Sequence, residues 1–319
     1  MSPVISVIIP TRDRAAYLRQ AIDSVLAQRR SDFELIVVDD GSTDATPALL
    51  AAESDPRLRC LRQEPRGISA AMNAGVRAAR GEYVARLDSD DLWDADLLAT
   101  LAAVLDARPD VGVVYARAQA MDAAGRPLPH FLGLPMRFPD HSLRSVVFDD
   151  CTCNIALMAR RSCLDRAGPY DESLPGNEDW DMWLRVARCC DFAFVDRVLA
   201  HARWHDGNTT GSRSPLFAAV LDTRTVPLDK LFAEADLPAE VVALRPLAYE
   251  NVHIFRGTRW MAVGDLRRAI GEFGRAVRVS ETPARAALRV VWFAFNASRL
   301  GHSAAGRRLA AWLRGLRHR

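Results

Sequence analysis

Carboxylates are concentrated at residues 88–91, Asp-Ser-Asp-Asp, which directly follow the short apolar run Tyr83–Leu87. Side chains alternate along a strand, so Asp88 and Asp90 point the same way if the strand continues that far. Neighbouring carboxylates repel each other unless a cation lies between them. Mg²⁺ and Mn²⁺ prefer oxygen ligands and share them with substrate phosphates. The spacing therefore indicates a divalent-metal site for a phosphate-bearing ligand. The alternative is an acidic turn that caps a helix beginning near Trp93.

A second carboxylate pair, Glu178-Asp179, follows Gly176-Asn177. The residues after it are apolar at helical spacing, which predicts a helix with a buried stripe: Trp180, Trp183, Leu184 and Ala187. The N–H groups and dipole at the start of a helix favour an ionised carboxylate. The alternative is that these residues cap the N-terminus of the helix. Capping explains the presence of one acidic residue well, but it explains poorly why there are two.

The elements that position these carboxylates alternate between strand and helix along the first part of the chain. This pattern predicts an α/β fold, in which a parallel sheet carries helices on both faces. The predicted strands are Val4–Ile9, Phe33–Val38, Leu58–Leu61, Tyr83–Leu87 and Val111–Tyr115. Polar clusters end three of them, at residues 10–12, 39–42 and 88–91. Ligands bind at the carboxyl ends of such strands. The chain has neither a glycine-rich dinucleotide fingerprint nor a P-loop, so bound phosphates need a metal or arginines.

The pattern is less regular after Tyr115. Ala116–Asp150 is rich in proline and apolar residues, and we expect either a lid facing the acceptor or a loop packed over the sheet. Short strands are expected at Asn154–Met158 and Phe192–Leu199, with a helix from Ser162 between them. Polar residues from His201 to Asn208 follow the last strand.

A domain boundary is expected near Ser212, and residues 213–319 have a helical pattern. Gly264–Pro283 resembles the second helix of a tetratricopeptide hairpin, and we expect the following apolar stripe to pack: Leu288, Val291, Trp292 and Phe295. The last helix combines an apolar stripe with arginines. It is predicted either to lie on an anionic membrane or to pack while its basic face is solvated: Leu309, Trp312, Leu313 and Leu316.

Composition is that of a soluble globular protein, with 319 residues, 49% apolar and 26% charged residues and a net charge of +2. The six cysteines lack zinc-binding spacing, and we expect Cys151 and Cys153 to be reduced thiols. A cytoplasmic protein is expected, with its tail as a peripheral contact to the inner face of the plasma membrane. No signal peptide, membrane-spanning helix or nucleic-acid partner is predicted.

Five segments in order resemble the family-2 glycosyltransferases of GT-A fold. They are ISVIIPTRDRAAYL (5–18), FELIVVDDGSTD (33–44), GISAAMNAG (67–75), GEYVARLDSDD (81–91) and NEDWDMWLR (177–185). The resemblance covers residues 4–210, about two-thirds of the chain. It implies a Rossmann-like, mostly parallel sheet flanked by helices over residues 1–212. Residues 213–319 would form an α-helical extension.

The resemblance also implies roles for individual residues. Asp179 would be the catalytic base with Glu178 beside it, and His205 would reach the metal or the diphosphate. The metal, Mn²⁺ or Mg²⁺, would be held by Asp90, Asp88 and His205. The nucleotide-sugar site would comprise Pro10, Thr11, Arg12, Asp40, Arg66, Asn73 and Asp88. Arg12 departs from the family pattern, in which an aromatic residue is frequent, and this leaves the nucleotide open.

The function that this resemblance implies is inverting, metal-dependent transfer of a sugar from a nucleoside-diphosphate sugar to a glycan or glycolipid hydroxyl. UDP is the default nucleotide of the family, and bacterial cell-surface polysaccharide is the expected product. A carboxylate that accepts the hydroxyl proton supplies general base catalysis. One alternative is transfer to a polyprenyl phosphate, whose anionic acceptor needs no base; another is a non-catalytic scaffold that binds nucleotide-sugar.

Overall fold

The computed structural model describes residues 3–148, 152–208 and 211–297. The chain divides into two compact units, residues 1–208 and 209–319; the sequence analysis sets this boundary after residue 212. Cys151 and the predicted last helix at Leu309–Leu316 lie outside the described residues.

The first unit is built on one mixed sheet. Its strands run in the order β3-β2-β1-β4-β8-β6-β9-β5, and β7 pairs with β6 outside this path. The strands are β1 Ile5–Thr11, β2 Phe33–Asp39, β3 Leu58–Arg62, β4 Tyr83–Arg86, β5 Leu92–Trp93, β6 Val111–Asp122, β7 Pro127–Leu132, β8 Leu157–Arg160 and β9 Asp191–Trp204.

Parallel pairing joins β1 to β2 and β4, and β2 to β3. Strands β1 and β2 are buried along their whole length, as expected of continuous apolar runs covered on both faces. Antiparallel β8 separates β4 from β6, whereas β6 and β9 pair in parallel. The predicted α/β fold with flanking helices is confirmed. The sheet is mixed and not mostly parallel, because four of its eight pairings among the described residues are antiparallel.

The helices of this unit pack on the sheet through close contacts. A Cβ added at Gly75 in α3 would lie 2.5 Å from Cγ2 of Ile8, so only glycine lets this helix approach β1 so closely. The helices are α1 Ala15–Leu26, α2 Thr46–Ala51, α3 Ile68–Ala78, α4 Leu97–Ala107, α5 Ser142–Val146, α6 Arg161–Ala167 and α7 Glu178–Ala187, with a 3₁₀ turn at Asn154–Ala156.

Three local predictions are wrong. The strand from Val111 continues to Asp122 and forms a hairpin with β7, so Ala116–Asp150 begins as sheet and not as loop. The helix expected to begin near Trp93 is present but begins only at Leu97, because Trp93 pairs with β9 in β5. Residues 154–156 form a 3₁₀ turn, and the strand begins only at Leu157. In the first two cases strand pairing with distant residues outweighs local propensity.

The cysteines include a pair that the sequence analysis missed. Cys163 and Cys190 form a disulfide with their Cα atoms 6.4 Å apart. Two cysteines that lie 27 residues apart give no indication in the sequence that they pair with each other. Cys153 is free and buried, in keeping with its expected reduced thiol.

The second unit is helical. Phe217, Leu221, Trp260 and Ala269 form a small buried cluster within it. Leu288 and Val291 are exposed, so the packing predicted for that stripe is wrong at these residues. The helices are α8 Phe217–Asp222, α9 Val226–Leu231, α10 Ala239–Val242, α11 Arg245–Ala262, α12 Leu266–Val279 and α13 Pro283–Ala297. In the described part of the chain, none of the helices has the length and apolarity needed to cross a membrane.

Candidate active site

The polar loops that follow β1 and β2 meet at the carboxyl edge of the sheet. The main-chain N–H of Asp40 donates to the carbonyl of Thr11 at 2.9 Å. Asp13 adopts a left-handed backbone (φ 51°). Its carboxylate accepts the main-chain N–H groups of Thr43 at 2.7 Å and Asp44 at 3.2 Å. The Thr43 hydrogen bond, the largest influence, lowers the pKa of Asp13 despite partial desolvation. These bonds fix the two loops against each other.

Thr11 and Asp40, both of which the family resemblance assigns to nucleotide binding, lie together at this edge of the sheet. Asp40 accepts the main-chain N–H groups of Arg66 and Gly67 and the side-chain amide of Gln63, each at 2.8 Å. A carboxylate has about four acceptor positions, so about one remains for a ligand. Pro10 and Thr11 are buried, whereas Arg12 is exposed. The Thr11 hydroxyl has no hydrogen-bond partner among the described residues. A buried hydroxyl without a partner is costly, and a bound ligand would satisfy it.

Asn73 and Arg66 contact the turn at residues 170–172. The Asn73 amide donates to the carbonyl of Tyr170 at 3.0 Å and accepts the N–H of the same residue at 2.8 Å. Its amide also donates to Glu172 at 2.9 Å, and Arg66 pairs with the other oxygen of Glu172 at 2.6 Å. Both polar ends of Asn73 are thus engaged within the protein. This arrangement favours a role in holding the turn over direct contact with a nucleotide.

Two of the three predicted metal ligands lie together. Nε2 of His205 is 2.9 Å from Oδ2 of Asp90, and Nε of Arg14 is 3.7 Å from the same oxygen. Asp88 instead accepts from Nε of Arg86 at 2.8 Å. Among the residues that the structure describes, no group of three or more His, Cys, Asp or Glu side chains is arranged to hold a metal. The Asp90–His205 donor set still fits a Mg²⁺ or Mn²⁺ ion, because such ions are commonly bound by one or two carboxylates plus substrate phosphates.

Arg203 fixes the loop that carries Asp90. It is buried in β9, and its Nε donates to the main-chain carbonyl of Asp90 at 2.9 Å. Its own main-chain N–H donates to the carboxylate of Asp91 at 2.7 Å, and Nη2 reaches Gln20 at 2.9 Å. Its role was not predicted from the sequence. A charged residue between Ala202 and Trp204 at the end of a strand was the available signal.

Arg86 joins the two acidic motifs. It is buried at the end of β4, and its Nη1 lies 3.3 Å from Oε1 of Glu178 while its Nε binds Asp88. Burial, together with the charge of Asp179, raises the pKa of Glu178 to about 7, and the charge of Arg86 opposes this rise. Glu178 is therefore a buried partner of an arginine and not a side chain open to substrate.

Asp179 is the more accessible member of its pair. One carboxylate oxygen accepts the amide of Asn154, and the other accepts the main-chain N–H of Trp180 at 2.7 Å. The carbonyl oxygen of Asn154 accepts the indole N–H of Trp183. Because an indole can only donate, this contact fixes the amide orientation and directs its N–H groups towards Asp179. The sequence analysis missed Asn154, for which a lone amide beside an apolar run was a weak signal.

The arrangement suits proton abstraction beside a bound phosphate. An accessible carboxylate held by donors is a competent general base. The Asp90–His205 pair could hold a divalent ion, and the Thr11–Asp40 edge offers hydrogen-bond partners for a nucleoside. Arg86 places the Asp88 and Glu178 motifs within one cluster.

Comparison with known proteins identifies the family. Residues 6–164 match the model of glycosyl transferase family 2. An uncharacterised glycosyltransferase of Rickettsia typhi is 31% identical over 219 residues, 66% of this chain and 67% of that protein. The O-antigen biosynthesis protein RfbC of Myxococcus xanthus is 32% identical over 267 residues, 80% of this chain. This chain spans only 20% of the length of RfbC.

Solved structures share the fold. The structure of S. aureus TarS 1–349 in complex with UDP-GlcNAc aligns with a TM-score of 0.70 and 20% identity. The alignment covers 96% of this chain and 88% of the TarS chain. The mannosyltransferase PcManGT of Pyrobaculum calidifontis, in complex with GDP-Man and Mn²⁺, has a TM-score of 0.62 and 21% identity. This alignment covers 98% of this chain and 84% of the PcManGT chain.

Proposed function

The chain belongs to glycosyl transferase family 2, and on that basis we propose an inverting, divalent-metal-dependent transfer reaction. The protein is a glycosyltransferase that uses a nucleotide-sugar. The proposed donor is a UDP-sugar, and the proposed acceptor is a hydroxyl of a glycan or glycolipid. The proposed setting is bacterial cell-surface polysaccharide synthesis, supported by the likeness to an O-antigen biosynthesis protein.

The observation that carries this proposal is the unequal environment of Glu178 and Asp179. Glu178 is buried against Arg86, whereas Asp179 is accessible and held by Asn154. One accessible carboxylate can accept the proton of an acceptor hydroxyl as that oxygen attacks the anomeric carbon. The C–O bond to the sugar forms as the bond to the nucleoside diphosphate breaks. A single displacement of this kind inverts the anomeric configuration and uses no covalent intermediate.

Residues of the first unit would hold the donor. Thr11 and Asp40 offer hydrogen-bonding groups at the nucleoside end, and Asp90 with His205 offers ligands at the diphosphate end. When bound there, a divalent ion would offset the charge of the leaving diphosphate. The ligands named in the TarS and PcManGT structures, UDP-GlcNAc in one and GDP-Man with Mn²⁺ in the other, support a nucleoside-diphosphate sugar and a metal.

A thermal-shift panel of UDP, GDP, dTDP and CDP, each with and without Mn²⁺, tests the donor site. A ligand that binds only the folded state raises the melting temperature by mass action. The proposal expects a shift with UDP that requires Mn²⁺ and is lost in Asp90→Ala. A shift with GDP alone would replace the proposed nucleotide. Binding that is independent of metal would refute the assigned metal role.

A further inference from the structure

Three cysteines lie together where α6 approaches the residues that follow α7. Cys163 and Cys190 are joined by the disulfide, and only 2% and 9% of their respective surfaces are exposed. Cys189 is free and exposed, and its Sγ lies 3.8 Å from Sγ of Cys190. An exposed thiol is therefore in contact with one sulfur of a disulfide that is itself largely closed to solvent.

A guanidinium group is directed at the sulfurs of this disulfide. Nη2 of Arg166 donates to Sγ of Cys190 at 2.9 Å and lies 3.5 Å from Sγ of Cys163. A disulfide sulfur is only a weak acceptor, whereas a neighbouring arginine strongly favours the thiolate form of a cysteine. Arg166 can therefore stabilise either sulfur when that sulfur leaves the opened disulfide as a thiolate.

A cavity of about 610 Å³ lies beside the three cysteines. Its volume falls in the range of small-molecule sites. Three arginines and two aspartates supply the charged groups of its lining, so the positive charge is in excess: Arg160, Arg166, Arg188, Asp110 and Asp191. Such a lining favours a ligand that carries carboxylates, which arginine binds through charge-assisted hydrogen bonds. The cavity therefore suits a small thiol that carries carboxylate groups.

We propose that Cys189 is the exchange thiol through which a small carboxylate-bearing thiol in this cavity reduces and re-forms the buried Cys163–Cys190 disulfide. The proposal uses none of the residues assigned to sugar transfer. The thiolate of Cys189 attacks Sγ of Cys190, forms a Cys189–Cys190 disulfide and releases Cys163 as a thiolate.

Two molecules of the small thiol complete the exchange. The first attacks Sγ of Cys189 as a thiolate, forms a mixed disulfide and releases Cys190 as a thiolate. The second attacks the outer sulfur of that mixed disulfide, frees Cys189 and leaves as the small-molecule disulfide. In total, two small thiols are oxidised to one disulfide, and their two protons and two electrons convert the Cys163–Cys190 bond into two thiols.

Cys60 supplies the matched control, because it is the other exposed free cysteine among the described residues. Partial burial, together with the charges of Glu53 and Asp39, raises the pKa of the Cys60 thiol. A thiol of raised pKa is a poor nucleophile at neutral pH because little of it is ionised. Cys60→Ser therefore removes an exposed thiol without removing the exchange thiol.

The experiment exposes the full-length protein to reduced glutathione and follows the Cys163–Cys190 bond by alkylation and peptide mass spectrometry. Cys189→Ser should slow reduction at least about tenfold, because the attack by a thiol already held against the disulfide is lost. Cys60→Ser should react at the wild-type rate. Arg166→Gln should slow the reaction, and Arg166→Lys, which keeps the charge, should restore part of the rate.

The equilibrium separates exchange from a structural role. Cys189 is a free thiol before and after the reaction, so the glutathione ratio that half-reduces the disulfide should not change in Cys189→Ser. Re-formation of the bond with glutathione disulfide should therefore slow by the same factor as reduction. Melting temperatures identify a variant that fails to fold, and Cys189→Ala serves as the second variant. Reduction of both folded Cys189 variants at the wild-type rate, or a wild type without the Cys163–Cys190 bond, overturns the proposal.

Discussion

Asn154→Ala should weaken Asp179 as the general base. The substitution removes the amide N–H that donates to the Asp179 carboxylate. A hydrogen bond to a charged group contributes about 1.5–3 kcal/mol. Because about 1.4 kcal/mol is a factor of ten in rate, losing the bond that holds the base in place should slow the reaction about 10- to 100-fold. The substitution therefore disturbs the position of the base without changing its carboxylate.

The assay is release of nucleoside diphosphate from the donor, with water as acceptor. The rate should fall about 10- to 100-fold, because the base is no longer held towards the attacking oxygen. Donor affinity should not change.

Trp183→Phe supplies the matched comparison, because it removes the indole that anchors Asn154 but keeps the amide donor. We expect a smaller loss of rate in this variant. Melting temperatures are needed for both, since Asn154→Ala also leaves the Trp183 N–H without its acceptor, at a cost of about 1–3 kcal/mol. An unchanged rate in folded Asn154→Ala would refute the argument that this amide holds the base in place.

Three further outcomes are expected. The pKa of the buried Glu178 carboxyl is about 7 instead of 4.5. The stability that its protonated form adds to the folded protein is therefore complete below pH 4.5 and is lost as the pH rises through 7. Between pH 4.5 and pH 7, the free energy of unfolding of the wild type, measured with urea, should fall by roughly 3 kcal/mol relative to that of Glu178→Gln. The same dependence on pH in both proteins would contradict the raised pKa. Asp90→Ala should lose Mn²⁺-dependent nucleotide binding by calorimetry, and full retention would remove Asp90 from the metal site. Arg203→Met should raise the Mn²⁺ concentration needed for half-maximal nucleotide binding about tenfold, since a mobile loop presents Asp90 less often; an unchanged requirement would leave Arg203 with a stability role alone.

The central sheet was predictable because its strands are strongly apolar. The continuous runs Val4–Ile9 and Phe33–Val38 correspond to β1 and β2, which are buried throughout. The order of strand and helix then placed three polar loops at one edge. The hairpin after Tyr115 escaped prediction because Ala118 and Ala120 alternate with Arg117 and Gln119, and small alanines give a weak strand signal.

Contacts within the site depended on tertiary structure. The sequence indicates that Glu178 and Asp179 begin a helix, and α7 does begin at Glu178. It cannot show that Arg86, 92 residues earlier, is buried against Glu178. Nor can it show that Asn154 lies between Asp179 and Trp183, because that contact forms only when the 3₁₀ turn packs on α7.

The central claim, that Asp179 is the catalytic base, is tested most directly by measuring sugar transfer and donor binding together in Asp179→Asn. The amide keeps the size of the side chain but cannot accept the hydroxyl proton, and general base catalysis contributes about 10²- to 10⁴-fold. The account predicts a loss of that size in transfer, with UDP and Mn²⁺ binding as in the wild type. Transfer at the wild-type rate would contradict the assignment of Asp179 and would mean that another residue is the base.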